Sequence, residues 1–420
     1  MDRLIIRGGK KLKGKAQISG SKNASLPILF ASLLTDDECV IENVPRLRDI
    51  ETTIGVLSYL GKKVEQDGNT IKISSNGEAH KEAPYELVKK MRASALVMGP
   101  LLARHQTAKA SLPGGCAIGA RPINIHLNGF KDLGAKVNLE QGYVTLKTKK
   151  LKGANVVFDY PSVGATENIL MAATLTEGET VIENAAREPE ITALANCLIS
   201  MGADIKGCGT SEIKIRGVKK LAGTRHRVIS DRIECGTLMI AAAITRGDVL
   251  LEGVDLDDMS ALIIKLEETG VSIKKTKKGL HLKAKNIIKP VNIETAPYPG
   301  FPTDMQAQWM ALMCTAKGSS IVTETVFENR FMHVCELQRM GARLSIRGHS
   351  VFVEGNDTLS GAQVMATDLR ASATLVLAGL VAKGKTEISR IYHLDRGYEH
   401  LENKLQILGA DIKRVKNQED

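Results

Sequence analysis

Apolar and polar positions along this chain repeat with a period of about 70 residues. An apolar or small residue followed by glycine ends a helical pattern at Leu60-Gly61, Leu133-Gly134, Met201-Gly202, Thr269-Gly270, Met340-Gly341 and Leu408-Gly409. Successive glycines are 73, 68, 68, 71 and 68 residues apart. Each is followed by a strand-like stretch: Lys63-Val64, Lys136-Val137, Asp204-Ile205, Ser272-Ile273, Arg343-Leu344 and Asp411-Ile412. In the first unit, residues 16–19 read as a strand and Gly20-Ser21-Lys22-Asn23 turns into an apolar helix over 24–34. A second strand, 39–44, leads through Pro45-Arg46 into an amphipathic helix over 50–60. Strands at 63–65 and 70–74 then flank Asp67-Gly68, a hairpin signal. The unit is βαβαββ.

The same order predicts helices over 162–177, 235–245, 305–316 and 371–381, of which the first, second and fourth read as apolar on most faces and deeply buried. Arg92-Ala93-Ser94-Ala95 recurs as Arg370-Ala371-Ser372-Ala373, 278 residues later, or four units. Six units divide into two lobes of three, each an α/β layer structure with its apolar helices inside. Unusual polar residues gather at the strand-to-helix connections, where helix N-termini favour anions. Lys22, Asn23, Arg92, Ser162, Asp304 and Arg370 stand at the first connection of their units, Arg330 and Arg396 at the second.

With 43% hydrophobic residues the chain can bury ordinary cores. Its longest apolar run, near 373–382, is too short to span a membrane, and residues 1–4 carry no apolar leader, so a cytoplasmic location is expected. Seven cysteines without a C-x-x-C pair argue against a disulfide framework. The net charge of +10 raises nucleic-acid binding, but aromatic residues make up only 4%, and the lysine runs at 147–152 and 274–278 sit at turns. Those runs read as solvated surface. Dispersed histidines and the absence of H-E-x-x-H leave no metal site, and no Walker or dinucleotide motif calls for a cofactor.

Two segments carry chemistry. Pro113-Gly114-Gly115-Cys116-Ala117-Ile118-Gly119-Ala120-Arg121-Pro122 brackets a cysteine with glycines and sets an arginine five residues on, where it favours thiolate or holds an anion. Cys39, Cys197, Cys235 and Cys314 fall on predicted strands or apolar helices and read as inert. Pro297-Tyr298-Pro299-Gly300-Phe301-Pro302-Thr303-Asp304 delivers an aspartate to a helix start. Taken alone, Asp304 reads first as an N-cap, a role compatible with facing a cleft.

Gly20–Ala24, Met91–Ser94, Leu112–Pro122, Ser162–Thr166, Phe301–Gln306, Phe327–Arg330, Asp368–Ser372 and Asp395–Glu399 together resemble the enolpyruvyl transferase family. Within it they resemble the branch of UDP-N-acetylglucosamine 1-carboxyvinyltransferases. The resemblance runs from the first strand nearly to the last. It implies a two-lobed inside-out α/β barrel of six βαβαββ repeats, with 22–229 as the first lobe and 1–21 plus 230–420 as the second. The first strand would pair in the second lobe.

The implied reaction moves the enolpyruvyl group of phosphoenolpyruvate to the 3′-hydroxyl of UDP-N-acetylglucosamine and releases phosphate. It is the first committed step of peptidoglycan synthesis, and hence of cell-wall growth and division. Transfer to shikimate 3-phosphate, or a silent nucleotide-sugar sensor, are the alternatives. The resemblance implies Cys116 as proton donor, Asp304 as acceptor of the hydroxyl proton, and Lys22, Arg121 and Arg396 around phosphoenolpyruvate, with Arg370, Arg92 and Arg330 nearby. Arg121, Pro122, Ile123, Asn124, Ile125, Ser162, Val163, Gly164, Val326 and Asn23 would line the nucleotide sugar. The pattern departs from relatives at Asn124, Ile125 and Tyr160-Pro161. It also implies a site formed between lobes that close on the nucleotide sugar. Where aspartate replaces the family's cysteine, fosfomycin does not react; Cys116 therefore implies sensitivity. Neither partner proteins nor oligomeric state follow from the sequence.

Overall fold

The third repeat shows how the predicted order closes. Asn155–Val157 runs parallel to Glu179–Glu183 because the helix Val163–Ala173 carries the chain back between them. After the helix Pro189–Ser200, the strand Asp204–Lys206 turns into Glu212–Arg216, which pairs antiparallel with Glu179–Glu183. The spatial order is first, second, fourth, third. This computed structural model describes residues 2–77, 80, 82–83, 92–111, 123–254, 257–327, 329–355 and 358–416, with backbone alone at 92–94 and 257. All six four-stranded sheets among those residues follow the same order.

The predicted helices shift at their ends, Arg232–Ile244 and Leu369–Gly379 starting earlier than expected and Val163–Ala173 stopping short. The first is Lys22–Ala31 followed by a 3-10 turn, Ser32–Leu34; that near Asp304 is Gln306–Met313 after a 3-10 turn, Thr303–Met305. These first helices have no polar face to offer water. Every residue of Gln306–Met313 is buried, as is every residue from Ile233 to Ile244. Their hydroxyls are satisfied by their own backbone, Thr237 Oγ1 donating to Ile233 O at 2.8 Å and Thr374 Oγ1 to Arg370 O at 3.0 Å. Helices therefore fill the interior and sheets lie outside. No ladder joins one sheet to the next among the described residues, so the strands form separate sheets and not a closed barrel.

Two strands leave the sheet that the local pattern gives them. Lys13–Gln17 does not join the first repeat; it runs parallel to Asp248–Glu252 of the fourth. Its place beside Cys39–Glu42 is taken by Arg225–Arg227. The N-terminal strand Arg3–Arg7 fills the fourth place of the sixth repeat, between Lys385–Ser389 and Asp411–Val415. Backbone ladders are nearly indifferent to side chains, so the local pattern names a strand but not its partner.

Among the described residues, one compact unit comprises 2–19 and 230–416, the other 20–111 and 123–229. Each has its own apolar cluster, one around Trp309 and Leu375, the other around Phe130 and Leu170. The chain passes between them at Ser19–Gly20 and Ile229–Ser230. A Cβ on Gly20 would stand 1.7 Å from Asn43 O, inside any possible contact. Gly20→Ala is therefore expected to destabilise its unit by about 2–3 kcal/mol, read as a lower urea midpoint. An unchanged midpoint would mean that this backbone yields freely.

Candidate active site

Thr303, Asp304 and Met305 form the 3-10 turn that starts the buried helix Gln306–Met313, and the two helix-start caps there are Pro302 and Met305. Asp304 caps neither. Its Oδ1 accepts from Arg330 Nη2 at 2.8 Å and its Oδ2 from Arg370 Nη2 at 2.7 Å. The N-cap reading is thus corrected: two guanidiniums outcompete the local backbone N–H groups for this carboxylate. Asp304 keeps 25% of its side chain exposed, against 6% for Arg330 and 3% for Arg370.

Burial works against ionising Asp304, yet the Arg370 and Arg330 charges outweigh it and hold the carboxyl well below the usual carboxylate range. So clamped, Asp304 is a stabilised anion and a weak base. Proton acceptance requires one guanidinium to turn away. Both have donors to spare: Arg370 Nε and Nη1 and Arg330 Nε are buried with no hydrogen-bond partner among the described residues. Such orphaned charged donors call for an anion.

The support around them is buried. Arg330 Nη1 donates to Thr303 Oγ1 at 2.9 Å, and Thr303 Oγ1 donates to Glu324 Oε2 at 2.7 Å. The Arg370 guanidinium lies 5.4 Å from the Tyr398 ring centroid. Gln308 Nε2 donates to Tyr398 Oη at 3.1 Å and to Asp304 O at 2.9 Å, tying the turn to the helix. Arg370 itself opens the helix Leu369–Gly379, whose N-cap Asp368 accepts from Arg370 N at 2.7 Å. Arg396 ends the 3-10 turn Ile391–Arg396, half-buried, near enough to His393 to lower its basicity after burial.

In the other unit Ser21 caps the helix Lys22–Ala31, its Oγ accepting from Ala24 N at 3.2 Å. Lys22 Nζ meets Asp49 Oδ2 at 3.0 Å. Asn23 is half-buried beside it in the first turn. Ser162 likewise caps Val163–Ala173, and a Cβ on Gly164 would stand 3.1 Å from His126 Cε1. The Ser162-Val163-Gly164 turn and the helix start at Ile123, Asn124 and Ile125 are therefore neighbours. Asn168 holds them, its Nδ2 2.9 Å from His126 Nδ1. Cys116, Arg121 and Pro122 lie outside the described residues, and the side chain of Arg92, which opens the turn Arg92–Val97, is not described.

The family pattern of EPSP synthase (3-phosphoshikimate 1-carboxyvinyltransferase) matches residues 6–405. The chain belongs to this family. The resemblance read from its motifs is borne out by relatives along the whole length. The UDP-N-acetylglucosamine 1-carboxyvinyltransferase of Geotalea uraniireducens (strain Rf4) is 59% identical, covering 99% of this chain and 100% of its own. That of Geobacter metallireducens (strain ATCC 53774 / DSM 7210 / GS-15) is 58% identical with the same coverage. Among solved structures, the enolpyruvyl transferase NikO from Streptomyces tendae matches with a TM-score of 0.89 at 25% identity, covering 99% of both chains. An EPSP synthase from Acinetobacter baumannii, at 20% identity and a TM-score of 0.76, covers 99% of this chain and 100% of its own and shares the fold alone.

For this enolpyruvyl transferase family member, reading the sequence missed Asp49, Thr303, Glu324, Asn168 and Tyr398 as parts of the site. Asp49 was legible only as an acidic first-turn residue of Arg48–Tyr59, which needs no partner to explain it. The buried cysteines behave as expected. Burial pushes Cys197 and Cys314 up to about 12, and Cys39 and Cys235 also upward. No group of three or more His, Cys, Asp or Glu among the described residues could hold a metal ion.

Proposed function

We propose that this chain transfers the enolpyruvyl group of phosphoenolpyruvate to the 3′-hydroxyl of UDP-N-acetylglucosamine, releasing phosphate, as the first committed step of peptidoglycan synthesis in the cytoplasm. The observation that carries the reading is the 59% identity, end to end, to a protein of that name. The geometry around Asp304 supports it: buried guanidinium donors beside a carboxylate suit a substrate with phosphate and carboxylate close together. Among the described residues no helix is long and apolar enough to cross a membrane.

Chemistry follows in two steps. The sugar hydroxyl adds to C2 while C3 takes a proton, so the C2–C3 double bond becomes a tetrahedral ketal. Loss of a C3 proton then restores the double bond as the C2–O bond to phosphate breaks. Cys116 supplies the proton to carbon, and Asp304 receives the hydroxyl proton. Arrival of the anion gives Arg370 and Arg330 a second partner. That loosens their hold on Asp304 and raises its basicity when it is needed. Lys22, Arg121 and Arg396 neutralise the phosphate and carboxylate; Arg92 adds charge at the periphery. Ile123, Asn124, Ile125, Ser162, Val163, Gly164, Val326, Asn23 and Pro122 shape the surface for the nucleotide sugar.

Phosphate release from phosphoenolpyruvate is the test, with UDP-N-acetylglucosamine or shikimate 3-phosphate as acceptor. Release that needs the nucleotide sugar and collapses in Cys116→Ala is expected. Release with shikimate 3-phosphate would move the chain to that reaction, and none with either would leave a sensor. In a Cys335→Ser background, which removes the exposed thiol, fosfomycin should add one mass label when Cys116 is intact and none in Cys116→Ala, since Cys39, Cys197, Cys235 and Cys314 are buried and burial pushes the half-buried Cys208 up to about 11. A label that persists in Cys116→Ala would remove Cys116 from its role.

A further inference from the structure

The fifth repeat breaks a turn that four other repeats share. Just after the second strand, repeats one, three, four and six place a left-handed residue: Asn43 (φ 60°), Asn184 (φ 54°), Gly253 (φ 75°) and Arg390 (φ 56°). In the fifth, after Ser319–Thr323, the position belongs to Glu324, which is not left-handed. A carboxylate closes the turn instead. Glu324 Oε1 accepts from Val326 N at 2.8 Å, Phe327 N at 3.1 Å and Thr295 Oγ1 at 2.7 Å. Its Oε2 accepts only from Thr303 Oγ1, at 2.7 Å, among the described residues. The residue is 1% exposed.

Asparagine, glycine or arginine fills this turn in four other repeats, and burying a carboxylate is costly. The second oxygen accounts for the difference. Because Thr303 donates its proton to Glu324, a lone pair of its hydroxyl faces Arg330 Nη1 at 2.9 Å. That contact directs Arg330 Nη2 onto Asp304. We propose that Glu324 is a positioning residue for the transfer reaction: Oε1 shapes the Val326–Phe327 turn, and Oε2, through Thr303 and Arg330, holds the Asp304 carboxylate in place. The inference rests on Asp304 as the proton acceptor in the reading above.

The two oxygens can be separated. Glutamine must keep its oxygen toward Val326 N and Phe327 N, since backbone donors cannot reverse, so its amide nitrogen faces Thr303. The turn is then kept and the relay lost, together with a negative charge beside Arg330. Alanine loses both. Thr303→Val removes the relay from its other end, and Thr303→Ser retains it.

The experiment measures steady-state phosphate release by the full chain, with melting curves to confirm folding. Glu324→Gln is expected to lower kcat about 10- to 100-fold with KM for UDP-N-acetylglucosamine within about twofold, whereas Glu324→Ala also raises that KM about tenfold. Thr303→Val should match Glu324→Gln, Thr303→Ser should restore most of the rate, and the Glu324→Gln/Thr303→Val pair should fall no further than either alone. Folded Glu324→Gln or Thr303→Val protein with wild-type kcat overturns the role of Glu324 while leaving the reaction standing. So do losses that multiply in the pair. Should Glu324→Gln not fold, the Val and Ser variants at 303 decide. Wild type that releases no phosphate overturns the reading of the reaction and the positioning role with it.

Discussion

Asp304→Asn is expected to lower kcat by about 10²–10⁴-fold, the range for a lost general base, and to destabilise its unit at neutral pH. The amide can accept from one guanidinium but offers N–H to the other, so Arg330 and Arg370 lose the anion that balances them in a nearly buried site. Breaking such a pair costs about 3–5 kcal/mol. The effect has a pH signature. Asp304 in the folded chain titrates below its ordinary value of 3.8, so its contribution is fully present above that value and is lost as pH falls through the folded one. Urea midpoints of wild type and Asp304→Asn should therefore differ by a constant amount from neutral pH down to about 5, then converge as the pH drops below about 4. A gap independent of pH would show that charge is not what the clamp contributes. A variant retaining a tenth of wild-type kcat would remove Asp304 from the chemistry.

The second large effect separates Lys22 from Asp49. Lys22→Ala is expected to lower kcat/KM for phosphoenolpyruvate by about 10³-fold, the loss that follows if the proposed charge-assisted contact to the phosphate disappears. Its effect on stability should be the smaller of the pair. Asp49 stands in the first turn of Arg48–Tyr59, where the helix dipole favours a carboxylate, and is left comparatively well placed without lysine. Asp49→Ala has the opposite profile. It leaves an ammonium, 11% exposed, in the first turn of Lys22–Ala31, at the end of a helix that repels cations. Asp49→Ala should thus lower the urea midpoint by about 3 kcal/mol equivalent, and Lys22→Ala by about 1–2. The reverse order of stabilities would mean that the dipole argument does not govern this pair.

The repeat, its helices and the family were legible because each depends on residues close in sequence. Six apolar-Gly turns mark the period, and buried helices such as Arg232–Ile244 lack a polar face that any other element could present. Motif order was enough to reach the enolpyruvyl transferases. The state of Asp304 was not legible. After Pro302 and before a helix it looks like a cap, and the partners that prevent this lie 26 and 66 residues away. Glu324 was hidden for a different reason. Glu42-Asn43-Val44 and Glu252-Gly253-Val254 repeat the look of Glu324-Thr325-Val326, so the residue passes for repeat grammar, although Glu42 and Glu252 end their strands and Glu324 stands one place beyond its own. Its place where those repeats put a left-handed residue, and its burial, set it apart.

Local periodicity and turn chemistry act over a few residues, and they are sufficient to specify the βαβαββ unit, the buried helices and the polar residues at helix starts. Folding settled which sheet receives each strand at the unit crossings. Arg225–Arg227 and Lys13–Gln17 sit beside strands of other repeats because backbone ladders carry almost no sequence code. Folding likewise settled that Arg330 and Arg370 share one carboxylate and that Glu324 turns inward. Charges buried together are paired by long-range packing, and no spacing along the chain encodes which of the many available arginines will arrive.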